Sequence, residues 1–469
     1  MQQSAPPRFA VTSPATGEEL RSFEAHAPAD VERALADAAS AFPAWAERSF
    51  GERAAVLRGV AAGLRARKDE LAGQMTDEMG KLRSEGLAEV EKCAHGCEYY
   101  AEHAAAMLAD EPVPFDDGVE AFVAYNPLGP VLAVMPWNFP LWQAIRAAAP
   151  ALMAGNVMLL KHASNVPGSA IALEELFRDA GAPPGVFTTL LIRSGPVAEI
   201  IADRRVAGVT LTGSVGAGRA VASAAGHALK PCVLELGGSD PYIVLEDADV
   251  GVAADILTRA RMLNAGQSCI AGKRFIALKP VAEALEAALA ERFRAFTLGD
   301  PHDPASRLGP MVSVEARDEL HGQMQRSVAA GARCLAGGTV PDRPGAWYPA
   351  TLLAGVEPGM AAFDEETFGP LGALIVADNE EHAIALANQS EFGLGGGVLT
   401  PDIDRGRRIA ARRIISGMVV VNTNVRSDPR LPFGGVKDSG IGRELSVHGI
   451  RAFVNTKAVE VRPHRTAAG

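Results

Sequence analysis

Apolar and charged residues interleave through the first hundred or so positions in the manner of amphipathic helices. VERALADAASAFPAWAERS (31–49) and GERAAVLRGVAAGLRARKDELAGQM (51–75) are alanine-rich with charges spread between the apolar residues. These stretches predict a layer of helices outside a sheet. From Val131 the texture changes, and short β-branched runs alternate with helical ones. NVMLLKHA (156–163), SAIALEELFRDAG (169–181), VFTTLLI (186–192), PVAEIIADRR (196–205), VAGVTLTG (206–213), AGRAVASAAGHAL (217–229) and PCVLELGG (231–238) form a βαβαβαβ series. Such a series implies a parallel sheet with crossover helices, whose ligand sites lie at the carboxyl ends of the strands.

A second α/β segment follows Asp249. The helical pattern VAADILTRARMLNAGQ (252–267) leads into a loop around Cys269, and ALEAALAERFRAF (284–296) and EARDELHGQMQRSVAAGA (315–332) continue it. CLAGGTVPDRPGAWYPATLL (334–353) is turn-rich and reads as a surface connection into a strand. EAFVAY (120–125) alternates as an exposed strand does when it seeks a partner.

Composition narrows the class. A chain of 469 residues exceeds what one core usually supports, so two or three units are expected. A net charge of −11 argues against nucleic-acid or anionic-membrane partners and favours a small molecule. The most apolar stretch, around Ala147 to Leu160, is too short to span a bilayer and is flanked by Arg146 and Lys161. The amino-terminal stretch shows neither the basic start nor the apolar run of a secretory signal. Five cysteines make no disulfide framework in so long a chain, and a reducing cytoplasm is the expected location. Cys93 and Cys97 share a helical face, but no second pair completes a tetrahedral site, so no metal is expected.

Two short stretches carry the chemistry. NAGQSCIAGKRF (264–275) holds a thiol among small residues, and ELGGSD (235–240) holds a carboxylate beside a Gly-Gly pair. A thiolate that attacks a carbonyl and an acid that activates a water are the components of thioester chemistry. In LTGSVGAG (211–218), a strand running into a glycine-rich turn and then a helix offers free backbone N–H groups to a phosphate, although it departs from the G-x-G-x-x-G form.

PWNFP (136–140), LLKHASNVP (159–167), LTGSVGAG (211–218), ELGG (235–238), GQSC (266–269), EETFGP (365–370) and PFGGVKDSGIGRE (432–444) occur in an order and at spacings by which the chain resembles the aldehyde dehydrogenase superfamily. The resemblance runs almost end to end. It implies a Rossmann-type cofactor domain (1–108 and 128–237), an α/β catalytic domain (238–445), and a small β extension (109–127 and 446–469) that packs across a homodimer or homotetramer. By the same resemblance Cys269 is the nucleophile, Glu235 the general base, and Asn138 the oxyanion donor beside the Cys269 backbone N–H. Glu235 also favours hydrolysis over transfer of the acyl group to coenzyme A. Trp137, Lys161, Ser164, Gly213, Ser214, Gly218, Glu366 and Phe368 are expected to bind NADP or NAD. Ser164 stands where many NAD-specific members carry a glutamate, which admits a 2′-phosphate. His162, Lys437 and Arg443 are expected to be structural.

Arg146 and Ser427 match the residues with which the succinate-semialdehyde dehydrogenase branch holds the substrate's far carboxylate, and Phe433 is expected at the same substrate site. The match is incomplete, because Leu263 stands where some members have a second arginine. Arg261 and Arg426 lie nearby, and Ala271 replaces a second, redox-active cysteine. Glutarate semialdehyde is the near alternative substrate, since one methylene contributes only about 1–3 kcal/mol of discrimination. A catalytically silent binding protein is the alternative from another class.

Overall fold

A computed structural model describes residues 8–115 and 119–462; positions 1–7, 116–118 and 463–469, which the expected domain ranges include, lie outside the described residues. Two largely parallel sheets organise the molecule. In the first, the strands run in the order Gly440–Ile441, Cys232–Glu235, Gly208–Thr212, Pro130–Met135, Val157–His162, Phe187–Thr189. All neighbours are parallel except Gly440–Ile441, which crosses from the far end of the chain and pairs antiparallel with Leu234 and Glu235. The helices Pro167–Asp179, Val197–Ala202 and Val215–His227 are the crossovers that the alternating pattern predicts.

Because both faces of this sheet are covered, its central strands are almost continuously buried. Val157–His162 is buried at every position, Lys161 and His162 included. Four helices, Pro28–Ala46, Phe50–Ala66, Lys68–Met79 and Arg83–Met107, form the expected outer layer. Phe50–Ala66 starts at a capping box: Ser49 accepts from the Glu52 N–H, and the Glu52 carboxylate accepts from the Ser49 N–H at 2.8 Å. Helix Pro140–Met153 is buried along its whole length.

The second sheet has the order Arg333–Ala336, Thr351–Ala354, Leu371–Ala377, Gly272–Leu278, Asp240–Val244, Gly397–Leu399, Val420–Val421. A third sheet joins Val454–Val461, Glu120–Pro127 and Glu111–Val113 in antiparallel register, pairing the two segments expected to form the β extension. Among the described residues no helix is long and apolar enough to cross a membrane.

Three local expectations differ from the structure. The first described strands form an antiparallel hairpin, Arg8–Thr12 with Glu19–Glu24, whose inward alternation is limited to Phe9 and Val11 while the second strand is almost wholly exposed. The 334–353 stretch is not all surface: Ala346, Trp347 and Tyr348 are buried, tied through the Ala346 N–H to the Pro14 carbonyl at 2.8 Å. The helical pattern at 252–267 stops at Met262, and Asn264, Ala265 and Gly266 all take left-handed conformations.

Candidate active site

The left-handed turn before Cys269 is held from three sides. Arg261, fully buried, donates through Nη2 to the Gly266 carbonyl at 2.7 Å and the Thr367 carbonyl at 3.0 Å, and also reaches the Gly369 carbonyl. The Asn264 N–H donates to the Glu85 carboxylate at 2.9 Å. The Gln267 side chain accepts from the Val312 N–H at 2.8 Å. Gly266 is required at its φ of 72°, because a Cβ there would collide with the Gly369 carbonyl. This bracing turns the chain so that Cys269 joins the wall of a cavity of about 600 Å³.

That wall gathers Trp137, Asn138, Gly213, Ser214, Cys269, Glu366 and Phe368, seven of the positions singled out in the sequence. Asn138 donates through Nδ2 to the Gln267 carbonyl at 3.2 Å, beside the nucleophile, while its own carbonyl accepts from Asn264 Nδ2 at 2.8 Å. Trp137 and Phe368 meet edge to face with ring centroids 5.8 Å apart. Ser214 caps helix Val215–His227, accepting from the Ala217 N–H at 3.3 Å. The first turn of that helix carries no acidic residue, so its positive pole faces the cavity uncompensated. The importance of Gly218 is different from that expected: a Cβ there would meet Leu236, so the glycine brings helix and strand together rather than opening room for a phosphate.

Burial pushes the Cys269 thiol up to about 12, opposed by the nearby Lys273 and Arg146 charges. Glu235 is 1% exposed, and burial, reinforced by the neighbouring Glu444, holds its carboxyl well above the usual range. Glu235 itself is not part of the cavity wall; its carbonyl accepts from the N–H of Gly213, which is, at 3.0 Å. Neither carboxylate oxygen has a hydrogen-bond partner, and Oε1 lies against Gly434.

Lys273 had no expected role. Its Nζ donates to the Ser268 carbonyl at 3.0 Å and the Cys269 carbonyl at 2.7 Å, and pairs with Glu366 at 3.2 Å. Glu366 in turn accepts from the Gly238 N–H at 3.0 Å. The sequence signal was a lysine four residues after the cysteine, beside Arg274, in a strand, Gly272–Leu278, that is buried at every position. Lys161 is buried at a strand end, its charge disfavoured by desolvation, with no hydrogen-bond or carboxylate partner among the described residues. Ser164 lines a small cleft with His162 and Pro167, in whose wall Lys161 takes no part. His162 faces the Pro140 carbonyl at 2.8 Å and is pushed down to about 4 by burial, which keeps it neutral. Lys437 donates to the Asn388 and Ser390 carbonyls and Arg443 to those of Gly435 and Gly442, so both tie loops together.

Arg146 has partners other than the substrate clamp expected of it. It is buried, its Nε sits in ion-pair contact with Glu444, Nη2 donates to Thr212 Oγ1 at 3.1 Å, and its guanidinium stacks 4.4 Å from the Phe433 ring centroid. A guanidinium so engaged serves the interior. Arg261 is likewise committed to backbone carbonyls, and Arg426 is exposed. Ser427 is buried and accepts from both Lys92 Nζ at 2.6 Å and Trp142 Nε1 at 2.9 Å. Cys93 and Cys97 are buried in the core, where desolvation raises both thiols.

A thiol beside an amide donor, in a cavity at the carboxyl ends of parallel strands with an open helix amino terminus, defines the class of a nucleotide-dependent oxidoreductase. The model of the Aldehyde dehydrogenase family matches residues 1–459, and the chain belongs to that family. It is 48% identical over 451 residues to a probable NADP(+) succinate-semialdehyde dehydrogenase of Synechocystis sp., covering 96% of this chain and 99% of that one. It is also 48% identical to an NAD(P)+ succinate semialdehyde dehydrogenase of Escherichia coli, covering 95% and 96%. A crystal structure of succinic semialdehyde dehydrogenase from Streptococcus pyogenes in complex with NADP+ superposes with a TM-score of 0.94 at 38% identity, covering 97% of this chain and all of that one.

Proposed function

We propose that this protein oxidises succinate semialdehyde to succinate with NADP or NAD. The carrying observation is the convergence of Cys269, Asn138, Trp137, Ser214, Glu366 and Phe368 on one cavity. The names of the relatives supply the substrate class. The residues present suit a nicotinamide dinucleotide: the pole of helix Val215–His227 and Ser214 suit its pyrophosphate, Glu366 a ribose, and the Trp137–Phe368 pair a flat ring. Lys161 and Ser164 suit the adenosine end, where a serine rather than a carboxylate at position 164 admits a 2′-phosphate.

Cys269 loses its proton and attacks the aldehyde carbon, forming a tetrahedral thiohemiacetal. Asn138 Nδ2 and the Cys269 backbone N–H donate to the oxyanion. The chemistry a bound nicotinamide supplies is acceptance of hydride from that carbon. Collapse leaves a thioester on Cys269. Glu235, made more basic by burial, takes a proton from water, whose oxygen displaces the thiolate and releases the carboxylate product.

Steady-state kinetics on succinate semialdehyde, glutarate semialdehyde and uncharged aldehydes, with each coenzyme, test this reading. Succinate semialdehyde is expected to show the highest kcat/KM. A higher value for glutarate semialdehyde would move the assignment by one methylene, and coenzyme binding without any turnover would favour a silent binding protein. The free cysteines suit a reducing compartment, the cytoplasm, and the β extension suits a homodimer or homotetramer.

A further inference from the structure

We propose that Lys92, with Ser427, receives the remote carboxylate of the substrate in place of Arg146. The inference rests on the assignment of an ω-carboxylated aldehyde made above, and it names the group that recognises it.

The argument starts from a count of donors. Ser427 Oγ accepts two hydrogen bonds, from Lys92 Nζ at 2.6 Å and from Trp142 Nε1 at 2.9 Å. A serine hydroxyl has two acceptor sites and one donor, so both acceptor sites are filled and its O–H is left to donate outward. No acceptor for that proton occurs among the described residues. The Lys92 ammonium has no carboxylate within 4 Å among the described residues and retains two further N–H donors. It rests 4.5 Å from the Trp142 ring centroid, which fixes the ammonium's position without neutralising it. The result is a half-buried group of donors with no anion to receive them. Burial, with the nearby Arg146 charge, lowers Lys92 to about 8, so an incoming carboxylate would gain a cation that still carries its proton at neutral pH.

The fold sets this group on the helices that contact the nucleophile loop and follow Asn138. Helix Arg83–Met107 presents Glu85, Glu89 and Lys92 on one face, at intervals of four and three residues. Glu85 touches the nucleophile loop through the Asn264 N–H, and Glu89 caps helix Pro140–Met153 by accepting from the Leu141 and Trp142 N–H groups at 3.0 and 2.9 Å. Lys92 follows about 10 Å along the axis from Glu85, at 1.5 Å per residue. Trp142, whose Nε1 donates to Ser427, sits in the first turn of helix Pro140–Met153, which follows Asn138 in the chain. A four-carbon chain extends roughly 4 Å between its end carbons at ~1.5 Å per bond, allowing for zigzag, which sets the short reach required of the clamp. Glu89 cannot serve as the anion, because it is already paired with Lys81.

The test compares succinate semialdehyde with butanal, which keeps the chain and lacks the charge. In Lys92→Met the ratio of kcat/KM for the charged over the uncharged substrate is expected to fall roughly 100-fold, and in Ser427→Ala roughly 10-fold, the range for losing charge-assisted and neutral hydrogen bonds. Lys92→Arg should restore part of the ratio. Succinate as a competitive inhibitor gives a second readout, and its inhibition constant should rise in Lys92→Met. If Lys92→Met does not fold, Lys92→Gln and Ser427→Ala carry the same comparison. A ratio and inhibition constant unchanged in all variants would overturn the proposal. Wild-type protein without a preference for the charged aldehyde would instead overturn the substrate assignment.

Discussion

Cys269 meets two opposed demands: it must be sheltered enough for covalent chemistry yet able to shed a proton that burial holds up to about 12. Glu235, raised above the ordinary carboxylate range of about 4, is suited to take protons near neutrality. Its basic form appears only as pH climbs through that raised value, so turnover should rise with pH through a limb displaced upward from an ordinary carboxylate. Glu235→Gln should lose that limb and stall after an initial burst of reduced coenzyme; a pH–rate profile like that of the wild type would remove Glu235 as the base. Cys269→Ala should bind coenzyme, by calorimetry, without turnover. Ser164→Glu should raise KM for NADP relative to NAD by roughly tenfold through like-charge repulsion with the 2′-phosphate; equal effects on both would make the position irrelevant. Asp240, fully buried behind the nucleophile loop, is raised by desolvation to about 7. The folded state therefore holds its proton more tightly than the unfolded state, and stability should decline as pH climbs from about 4 to about 7. The melting temperature of Asp240→Asn should lose this component of the decline, and melting curves that shift in parallel would refute the buried titration.

Individual elements place these residues, and the left-handed run Asn264–Ala265–Gly266 is the most demanding of them. Two non-glycine residues at positive φ cost about 1–3 kcal/mol each, so the bracing by Arg261, Glu85 and Gln267 must over-determine the turn. Gly266→Ala should therefore reduce activity far more than it lowers the melting temperature, since the collision lies in the loop that aims Cys269 and not in the core. A large fall in melting temperature with specific activity preserved in the folded fraction would contradict this. The crossover helices and their strands were legible from apolar periodicity because both faces of the sheet are covered. The hairpin of Arg8–Thr12 with Glu19–Glu24 was not, because only Phe9 and Val11 alternate inward and its second strand is almost wholly exposed, which is too short a signature to read.

At the scale of the whole molecule, chain ends and middle are interwoven. Gly440–Ile441 extends the first sheet, and Val454–Val461 pairs with Glu120–Pro127 to leave a long, mostly exposed edge. An exposed strand edge is a template for a further strand, and a second copy of the chain would cover it. Light scattering should give the mass of two or four copies, and Ala458→Pro should shift it toward the monomer. A wild-type mass of one copy would dismiss the extension as an assembly device.

The local signals along the chain were enough to point to the family and the two α/β segments and to single out a candidate nucleophile with amide and acid companions, because those depend on residue types at fixed spacing. What the tertiary structure decided was which charges remain free. Arg146 carries the expected side chain at the expected position, yet Glu444, 298 positions away by numbering, engages it in the interior. Lys92 looks like one more helix lysine until Ser427 and Trp142 are folded against it. Whether a cation serves a ligand or the protein depends on its partners after folding, and partners this distant in sequence leave no local trace.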